Sequence, residues 1–136
     1  MRARWMAALV LLWPVMASAA PCEDAKETAQ INECLHNEVE QAEVEMAKYL
    51  QASRERLSEH PDSIVTMELA QSAWVRYRDS HCLAVYDLWA QGTARGAMLG
   101  SCLLEQTERR THDIWKVYLT YVDSDDSILP EPAVRD

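Results

Sequence analysis

Four cysteines, spread through a chain that begins with an export leader, constrain the fold more than any other feature of the sequence. Cys22, Cys34, Cys82 and Cys102 are even in number, and an exported protein meets an oxidising environment, so two disulfides are expected. Zinc sites usually place cysteines about two to four residues apart, whereas the closest pair here is twelve apart, which argues against zinc. The chain should therefore be a small unit held together by two covalent cross-links.

The leader has the three parts of a signal peptide. Arg2 and Arg4 give it a positive start, residues 5–15 are largely apolar, and Ala17-Ser18-Ala19 is a cleavage site of small residues. The apolar run is shorter than the roughly 20 residues that span a bilayer, which favours cleavage after Ala19 over a membrane anchor. We therefore predict a cleaved signal peptide at residues 1–19, a periplasmic or secreted protein, and no membrane insertion after cleavage.

The protein that remains is acidic and long enough for one domain. All 22 acidic residues follow the leader and two of the 13 basic residues lie within it, so residues 20–136 carry 11 positive against 22 negative charges, a net charge of −11. Phosphate binding requires clustered positive charge, which argues against nucleic acid as a partner, whereas an acidic protein attracts basic proteins. We predict a helical domain at residues 20–122 and an acidic, disordered tail at residues 123–136.

Apolar residues recur every three or four positions along most of this domain, which predicts three long helices. They run from about Thr28 to Leu57, from about Ile64 to Ala90 and from about Ala94 to Tyr121. Thr28 should cap the first helix and Asp62 or Ser63 the second, and Gly92 should close the second helix in a left-handed conformation. Short connections near residues 60 and 92 then make an all-α fold, an antiparallel three-helix bundle stapled by two disulfides.

The second hairpin of this bundle predicts one disulfide pairing. Cys82 and Cys102 stand equally far from Gly92 on either side, and equal helical rise on both arms brings their thiols to one level. Cys22 would then pair with Cys34. Because Cys34 also lies near the level of Cys82 in the other hairpin, pairing Cys34 with Cys82 and Cys22 with Cys102 is the alternative.

The most distinctive constellation lies in the second helix. Gln71, Trp74, Arg78 and Cys82 share one face of that helix, which places a positive charge on an apolar stripe. A buried guanidinium needs a partner, so we expect an internal ion pair that sets the helix register, with an arginine-lined anion pocket as the alternative. Trp74 is expected in the core. The candidate partners of the arginine are Glu105, Gln106, Glu38, Glu43 and Glu45.

Catalytic interpretations of the sequence are weaker than structural ones. His81 stands beside Cys82, but a disulfide-bonded cysteine has no thiolate to act as nucleophile, and the two side chains project about 100° apart on a helix. No histidine pair has helical metal-binding spacing, and the glycines are too sparse for a phosphate loop. We therefore expect a protein-binding protein without enzymatic activity, metal or cofactor. Its expected contact residues are Glu40, Glu43, Gln91, Gly92, Thr93 and Arg95.

Several motifs together resemble the lysozyme inhibitor LprI family, secreted bacterial helical proteins with four cysteines. The matching elements are Cys22, Asn32 to Cys34, Ala70-Gln71, Ala73-Trp74, Tyr77-Arg78-Asp79, Cys82, Gly92-Thr93, Cys102, Thr107 and Arg110. The chain departs from the family pattern in the first helix, where Met46-Ala47-Lys48-Tyr49 replaces a Leu-Asn…Tyr element. Outside the cysteines, we expect the matching residues Gln71, Trp74, Tyr77, Arg78, Asp79, Thr107 and Arg110 to form a structural motif.

The resemblance implies a secreted inhibitor of lysozyme. Lysozymes are typically basic, and opposite charge raises the rate at which two proteins associate. The leading hypothesis is therefore a periplasmic or secreted protein that binds and inhibits lysozyme-type peptidoglycan hydrolases. Two alternatives are an accessory interaction protein of the envelope and an immunity protein against a wall-degrading effector.

Overall fold

The computed structural model describes residues 22–135, which form the expected bundle of three helices. Helix α1 spans Thr28–Arg56, α2 spans Pro61–Leu88 and α3 spans Arg95–Ile114. A π-helical segment, Trp115–Leu119, continues α3. It leads into an antiparallel hairpin of two short strands that the sequence did not predict, β1 (Thr120–Tyr121) and β2 (Ser124–Ser127). The predicted signal peptide, residues 1–19, lies outside the described residues.

The helix starts correct the predicted caps. The N-cap of α1 is Glu27, one residue before the predicted one. The N-cap of α2 is His60, followed by Pro61 at the first helical position, so Asp62 and Ser63 lie inside the helix. Proline suits this position because its fixed φ is helical and its missing N–H has no intrahelical partner there. The helix consequently starts a turn earlier than the apolar pattern indicates.

Helix α3 packs against both other helices, and two glycines bring it close to α1. A Cβ added at Gly96 would lie 2.9 Å from the Asn32 side chain, and one at Gly100 would lie 2.9 Å from Leu35 Cβ. The absence of side chains at these two positions, one turn apart, lets the helices approach closely. This contact aligns α1 and α3 in the same direction, with α2 antiparallel to both.

The buried face of α3 is more polar than the sequence pattern predicts. Leu99 and Leu103 are only half-buried and Val117 is exposed, although all three belong to the apolar three- and four-residue repeat of the predicted third helix. The hydroxyls of Thr107 and Thr111 donate to carbonyl oxygens one turn earlier, at 2.7 and 2.9 Å, so their burial leaves no unpaired donor. The buried residues of this helix are Leu104, Thr107, Glu108, Thr111 and Ile114.

Two apolar clusters make up the core. The disulfide-end cluster lies near the start of α1 and α3, and the tail-end cluster lies toward the other end of the bundle. The first consists of Leu35, Val39 and Leu104, and the second of Met46, Tyr49, Leu50, Ile114 and Leu119. Between them lie buried polar residues, so the middle of the bundle depends on hydrogen bonds and ion pairs as well as on apolar packing.

The structure places residues 123–135 in the hairpin and in an extended segment that contacts the helices, whereas the sequence predicts a disordered tail. After β2, residues 128–135, which we call the strap, run back across α1 and α3. Trp115 Nε1 donates to the Leu129 carbonyl oxygen at 2.9 Å, and the Tyr49 hydroxyl donates to that of Pro130 at 2.7 Å. Leu129 packs on the tail-end cluster. The acidic composition of residues 123–136 predicts a solvated segment. The apolar residues of the strap instead cover core surface that the three helices leave open.

Candidate functional site

The connection between α2 and α3 stands on a disulfide base. Cys82 and Cys102 are bonded, as the hairpin predicts, with their Cα atoms 5.6 Å apart. No glycine in residues 22–135 has a positive φ, so the left-handed cap predicted at Gly92 is wrong, and α2 closes instead through Trp89. The loop is therefore an ordinary turn whose two arms are covalently joined about ten residues below its tip.

The predicted contact residues of this loop are exposed and have apolar neighbours. Gln91, Gly92 and Thr93 are all exposed. Just before them, Leu88 is 81% exposed and Trp89 is 42% exposed. Large apolar side chains this accessible, next to a rigidly supported turn, make a surface suited to binding a protein.

Arg95, the fourth predicted loop residue, has a structural contact. Its guanidinium carbon lies 3.8 Å from the centre of the Tyr86 ring, which is cation–π stacking distance. The stacking ties the start of α3 to the end of α2. Arg95 thus restrains the shape of the loop, and Gln91, Gly92 and Thr93 form its accessible tip.

The second disulfide fixes the segment before α1. Cys22 is bonded to Cys34, with Cα atoms 5.9 Å apart, which excludes the alternative pairing of Cys34 with Cys82 and of Cys22 with Cys102. The bridge closes twelve residues onto the first turns of α1. Both disulfides therefore lie in the half of the bundle that carries the α2–α3 loop.

Arg78 forms the internal ion pair that the sequence predicts, and its partner on α1 is Glu43. Nη1 lies 2.7 Å from Glu43 Oε1 and donates to Thr107 Oγ1 at 3.2 Å, while Nη2 lies 2.9 Å from Asp79 Oδ1. The arginine side chain is 10% exposed, and Glu43 is 44% exposed. One guanidinium thus links all three helices in the polar middle of the bundle.

Most of the predicted structural motif assembles around the Trp74 ring. The guanidinium carbons of Arg78 and Arg110 lie 5.2 and 5.9 Å from its centre. Arg110 Nε also donates to Gln71 Oε1 at 3.0 Å. Tyr77 is the exception, because it is exposed and stacks on His81 with ring centres 5.5 Å apart. Arg78 thus has two carboxylates and a hydroxyl as partners within the bundle, which fits the expected ion pair and not the alternative of an anion pocket.

The two predicted acidic contact residues lie in different surroundings. Glu40 is exposed and lies 3.4 Å from His36 on the same helix. Glu43 is largely committed to Arg78, and its carboxylate is only partly accessible. A partner can therefore reach Glu40 directly, whereas Glu43 contributes mainly to the internal network.

The sequence did not identify an acidic site beneath the strap. Arg135 Nη1 lies 3.0 Å from Glu38 Oε2, and Nη2 lies 2.7 Å from Glu108 Oε1. Glu108 is buried on the same face of α3 as Leu104 and Thr111. Its three- and four-residue spacing from these two residues was the one sequence signal that it lies inside the bundle. Arg135 lies 27 residues farther along the chain, and no local pattern relates the two.

Residues 22–135 contain neither a metal-binding cluster nor a membrane-spanning helix. No three His, Cys, Asp or Glu side chains lie close enough together there to hold a metal ion. Among the helices described, none is long and apolar enough to cross a membrane.

Comparison with known families gives one match, which decides the family. The profile described as lysozyme inhibitor LprI matches residues 19–114. The chain belongs to the lysozyme inhibitor LprI family. No curated protein and no solved structure matches it significantly. Membership implies the function of a lysozyme inhibitor and not of an enzyme. Together with the two disulfides, it indicates an exported protein.

The match also divides the chain at a structural boundary. It ends at residue 114, the last residue of α3. Both disulfides, the Arg78 network and the α2–α3 loop therefore belong to the LprI unit. The π-helical segment, the hairpin and the strap follow it.

Proposed function

We propose that this protein is exported to the periplasm or the medium, where it binds lysozyme-type peptidoglycan hydrolases and inhibits them. The observation that carries the proposal is the LprI match over residues 19–114. The disulfides add support, because they persist in the oxidising compartments where lysozymes meet the cell wall. Inhibition by occlusion needs a rigid surface and no reactive group on the inhibitor.

The proposed contact surface is the tip of the α2–α3 loop with the apolar residues beside it. Gln91, Gly92 and Thr93 are exposed there, and Leu88 and Trp89 offer apolar area next to them. Because Cys82–Cys102 fixes the base of the loop, little conformational freedom is lost on binding. An exposed tryptophan beside a preorganised turn is a typical centre of binding energy.

Charge supplies the second part of the proposal. Residues 20–136 carry a net charge of −11, and exposed Glu40 lies in the same half of the bundle as the loop. The start of α3 packs on Asn32, eight residues before Glu40, which puts this carboxylate about 12 Å from the loop along α1. Such a surface accelerates association with a basic enzyme, and the acceleration weakens with added salt.

The proposal is tested by titrating the oxidised protein, without its leader, into activity assays of hen-type and goose-type lysozyme. We expect inhibition of at least one enzyme at near-stoichiometric ratios, with an association rate that falls as salt is added. Lack of inhibition of both enzymes by folded, oxidised protein would refute the proposed function. It would move the assignment to the envelope or immunity roles that the sequence leaves open.

A pair of variants tests the contact surface separately. Trp89→Ala should raise the inhibitory concentration by about tenfold or more, since interface tryptophans contribute about 2 kcal/mol or more. Val65→Ala is the control, because Val65 is an apolar residue, 58% exposed, at the start of α2 and therefore at the end of that helix away from the loop. Equal inhibition by both variants would refute the loop surface and leave the function standing.

A further inference from the structure

The strap lies in a groove between α1 and α3, and the guanidinium of Arg135 holds its end there. Besides the contacts to Glu38 and Glu108, the Arg135 backbone N–H donates to Glu108 Oε2 at 3.4 Å. His112 and Glu131, whose side chains lie 2.9 Å apart, tie the middle of the strap to α3. The groove thus holds an extended segment of this chain through the carbonyl oxygens of that segment and through one positive side chain.

The strap does not fill the groove. A cavity of about 310 Å³ lies between the strap and residues that include Glu38, Glu45 and Thr111. A second cavity of about 410 Å³ continues on the other side of Arg135 and reaches Ile31 and Ala97. Both cavities are partly open to solvent beside Arg135, so the groove has room for a further side chain next to the strap.

The charges of the groove define what it can bind. Carboxylates of Glu38, Glu45, Glu105 and Glu108 line the two cavities, and Arg135 is the one cation among the residues that line them. Glu105 is already paired with Arg109 one turn away. If the strap lifts, Glu38 and Glu108 lose their cation. A guanidinium or ammonium group from another protein would restore the balance.

The position of the strap relative to the family match is an independent observation. The groove walls, α1 and α3, lie within the matched residues 19–114, whereas the strap follows them. The groove is thus built by the LprI unit and covered by a segment outside it. Ala97, at one end of the groove, is two residues beyond Arg95, so the groove opens beside the α2–α3 loop.

We propose that the α1–α3 groove is a second contact surface for a basic partner protein, which inserts an arginine or lysine side chain between Glu38 and Glu108 in place of Arg135. The inference rests on the proposed inhibition of lysozyme. The strap is then an internal competitor. The partner binds the groove only in molecules whose strap is lifted. Its apparent affinity is therefore the affinity for the open groove multiplied by the fraction of molecules in which the strap is lifted.

The test compares lysozyme inhibition by Arg135→Ala with inhibition by wild type. The control is Arg54→Ala, which removes the same charge from a side chain of nearly the same exposure, 37% against 36%, but one that pairs with a single helix carboxylate and does not hold the strap. Arg135→Gln is a second variant, which keeps a hydrogen-bond donor beside Glu108 if the alanine variant unfolds. Thermal denaturation by circular dichroism confirms that each variant is folded.

We expect Arg135→Ala to inhibit at a concentration about three- to tenfold lower than wild type, because two ion pairs that hold the strap are lost. Arg54→Ala should match wild type within about twofold. An amidated peptide of residues 128–135 should raise the inhibitory concentration of Arg135→Ala, and the same peptide ending in alanine should not.

Two outcomes overturn the inference in distinguishable ways. If wild type inhibits and Arg135→Ala, or a folded Arg135→Gln, does so no better than Arg54→Ala, the groove is not a contact surface, although the inhibitor function stands. If neither wild type nor any folded variant inhibits, the inhibitor function fails and the inference fails with it.

Discussion

Replacing Arg78 with methionine should cost this protein more stability than any other single charge removal around the network. Methionine keeps the apolar stem that packs near Trp74 but removes the ion pairs with Glu43 and Asp79 and the hydrogen bond to Thr107. Breaking a buried ion pair typically costs about 3–5 kcal/mol, because the remaining charge is stranded. Here Glu43 and Asp79 are 44% and 57% exposed and regain water, so we expect about 2–3 kcal/mol.

The same reasoning gives two smaller values for comparison. Glu43→Gln should cost below about 1 kcal/mol, because Arg78 keeps Asp79, Thr107 and the Trp74 ring as partners. Arg54→Met breaks one ion pair whose two side chains are both more than a third exposed, and it should also cost below about 1 kcal/mol. Each of the three variants removes one charge. Arg78→Met should lose the most stability because its guanidinium is the buried group.

The assay is urea unfolding of the oxidised proteins at neutral pH, followed by circular dichroism, with thermal scans in parallel. For a domain of this size, about 1 kcal/mol corresponds to roughly 4 °C, so Arg78→Met should lower Tm by about 10 °C. If its Tm stayed within about 2 °C of wild type, or if Glu43→Gln lost as much, the network would not stabilise the bundle in the way described.

Three further changes test other parts of the structure. Replacing Cys82 and Cys102 with serine opens a 20-residue loop and should lower the free energy of unfolding by about 3 kcal/mol in urea titrations. A smaller loss than for the 12-residue bridge would contradict this reasoning. Gly100→Ala should cost about 1–3 kcal/mol, because its Cβ would lie 2.9 Å from a side-chain carbon of α1. Gly92→Ala, where the added Cβ would make only ordinary contacts at 3.6 and 3.9 Å and φ is not positive, should stay within about 0.5 kcal/mol, and equal losses would count against the close helix contact. Burial raises the pKa of Tyr49, so the unfolded chain loses this proton first, and stability should fall as pH rises above 10.0. Tyr49→Phe should flatten that part of the pH profile of Tm, and an unchanged slope would refute the assignment.

The disulfide at the α2–α3 hairpin was predictable because it depends only on helical rise. Equal numbers of residues on either side of Gly92 bring Cys82 and Cys102 to one level, whatever the packing around them. The α1 partner of Arg78 was predictable only as a set of three glutamates. Choosing Glu43 from that set requires the rotation of α1 about its axis, which Gly96 and Gly100 set by their close approach. A sequence pattern does not contain that rotation.

The strap was missed for a different reason. Its composition includes prolines and charges, which are typical of solvated segments, and an extended segment has no helical period to detect. What holds it are contacts with distant residues: Tyr49 bonds to Pro130, and Glu38 pairs with Arg135. The available signal was Ile128-Leu129, an apolar pair that follows the acidic stretch. Reading that pair as a docking point requires knowledge of the surface that α1 and α3 leave uncovered.

The two ends of the bundle should therefore separate stability from inhibition. Leu50 is buried in the tail-end cluster, so Leu50→Ala should lower the free energy of unfolding by about 2–5 kcal/mol. At about 15 °C, where the variant stays folded, its lysozyme inhibition should be no weaker than that of wild type, because the loop and both disulfides are untouched. Trp89→Ala should do the opposite, losing inhibition while its Tm changes little, since Trp89 is 42% exposed. If Leu50→Ala lost inhibition while circular dichroism showed it folded, the contact surface would depend on the tail end, and binding could not be assigned to the loop.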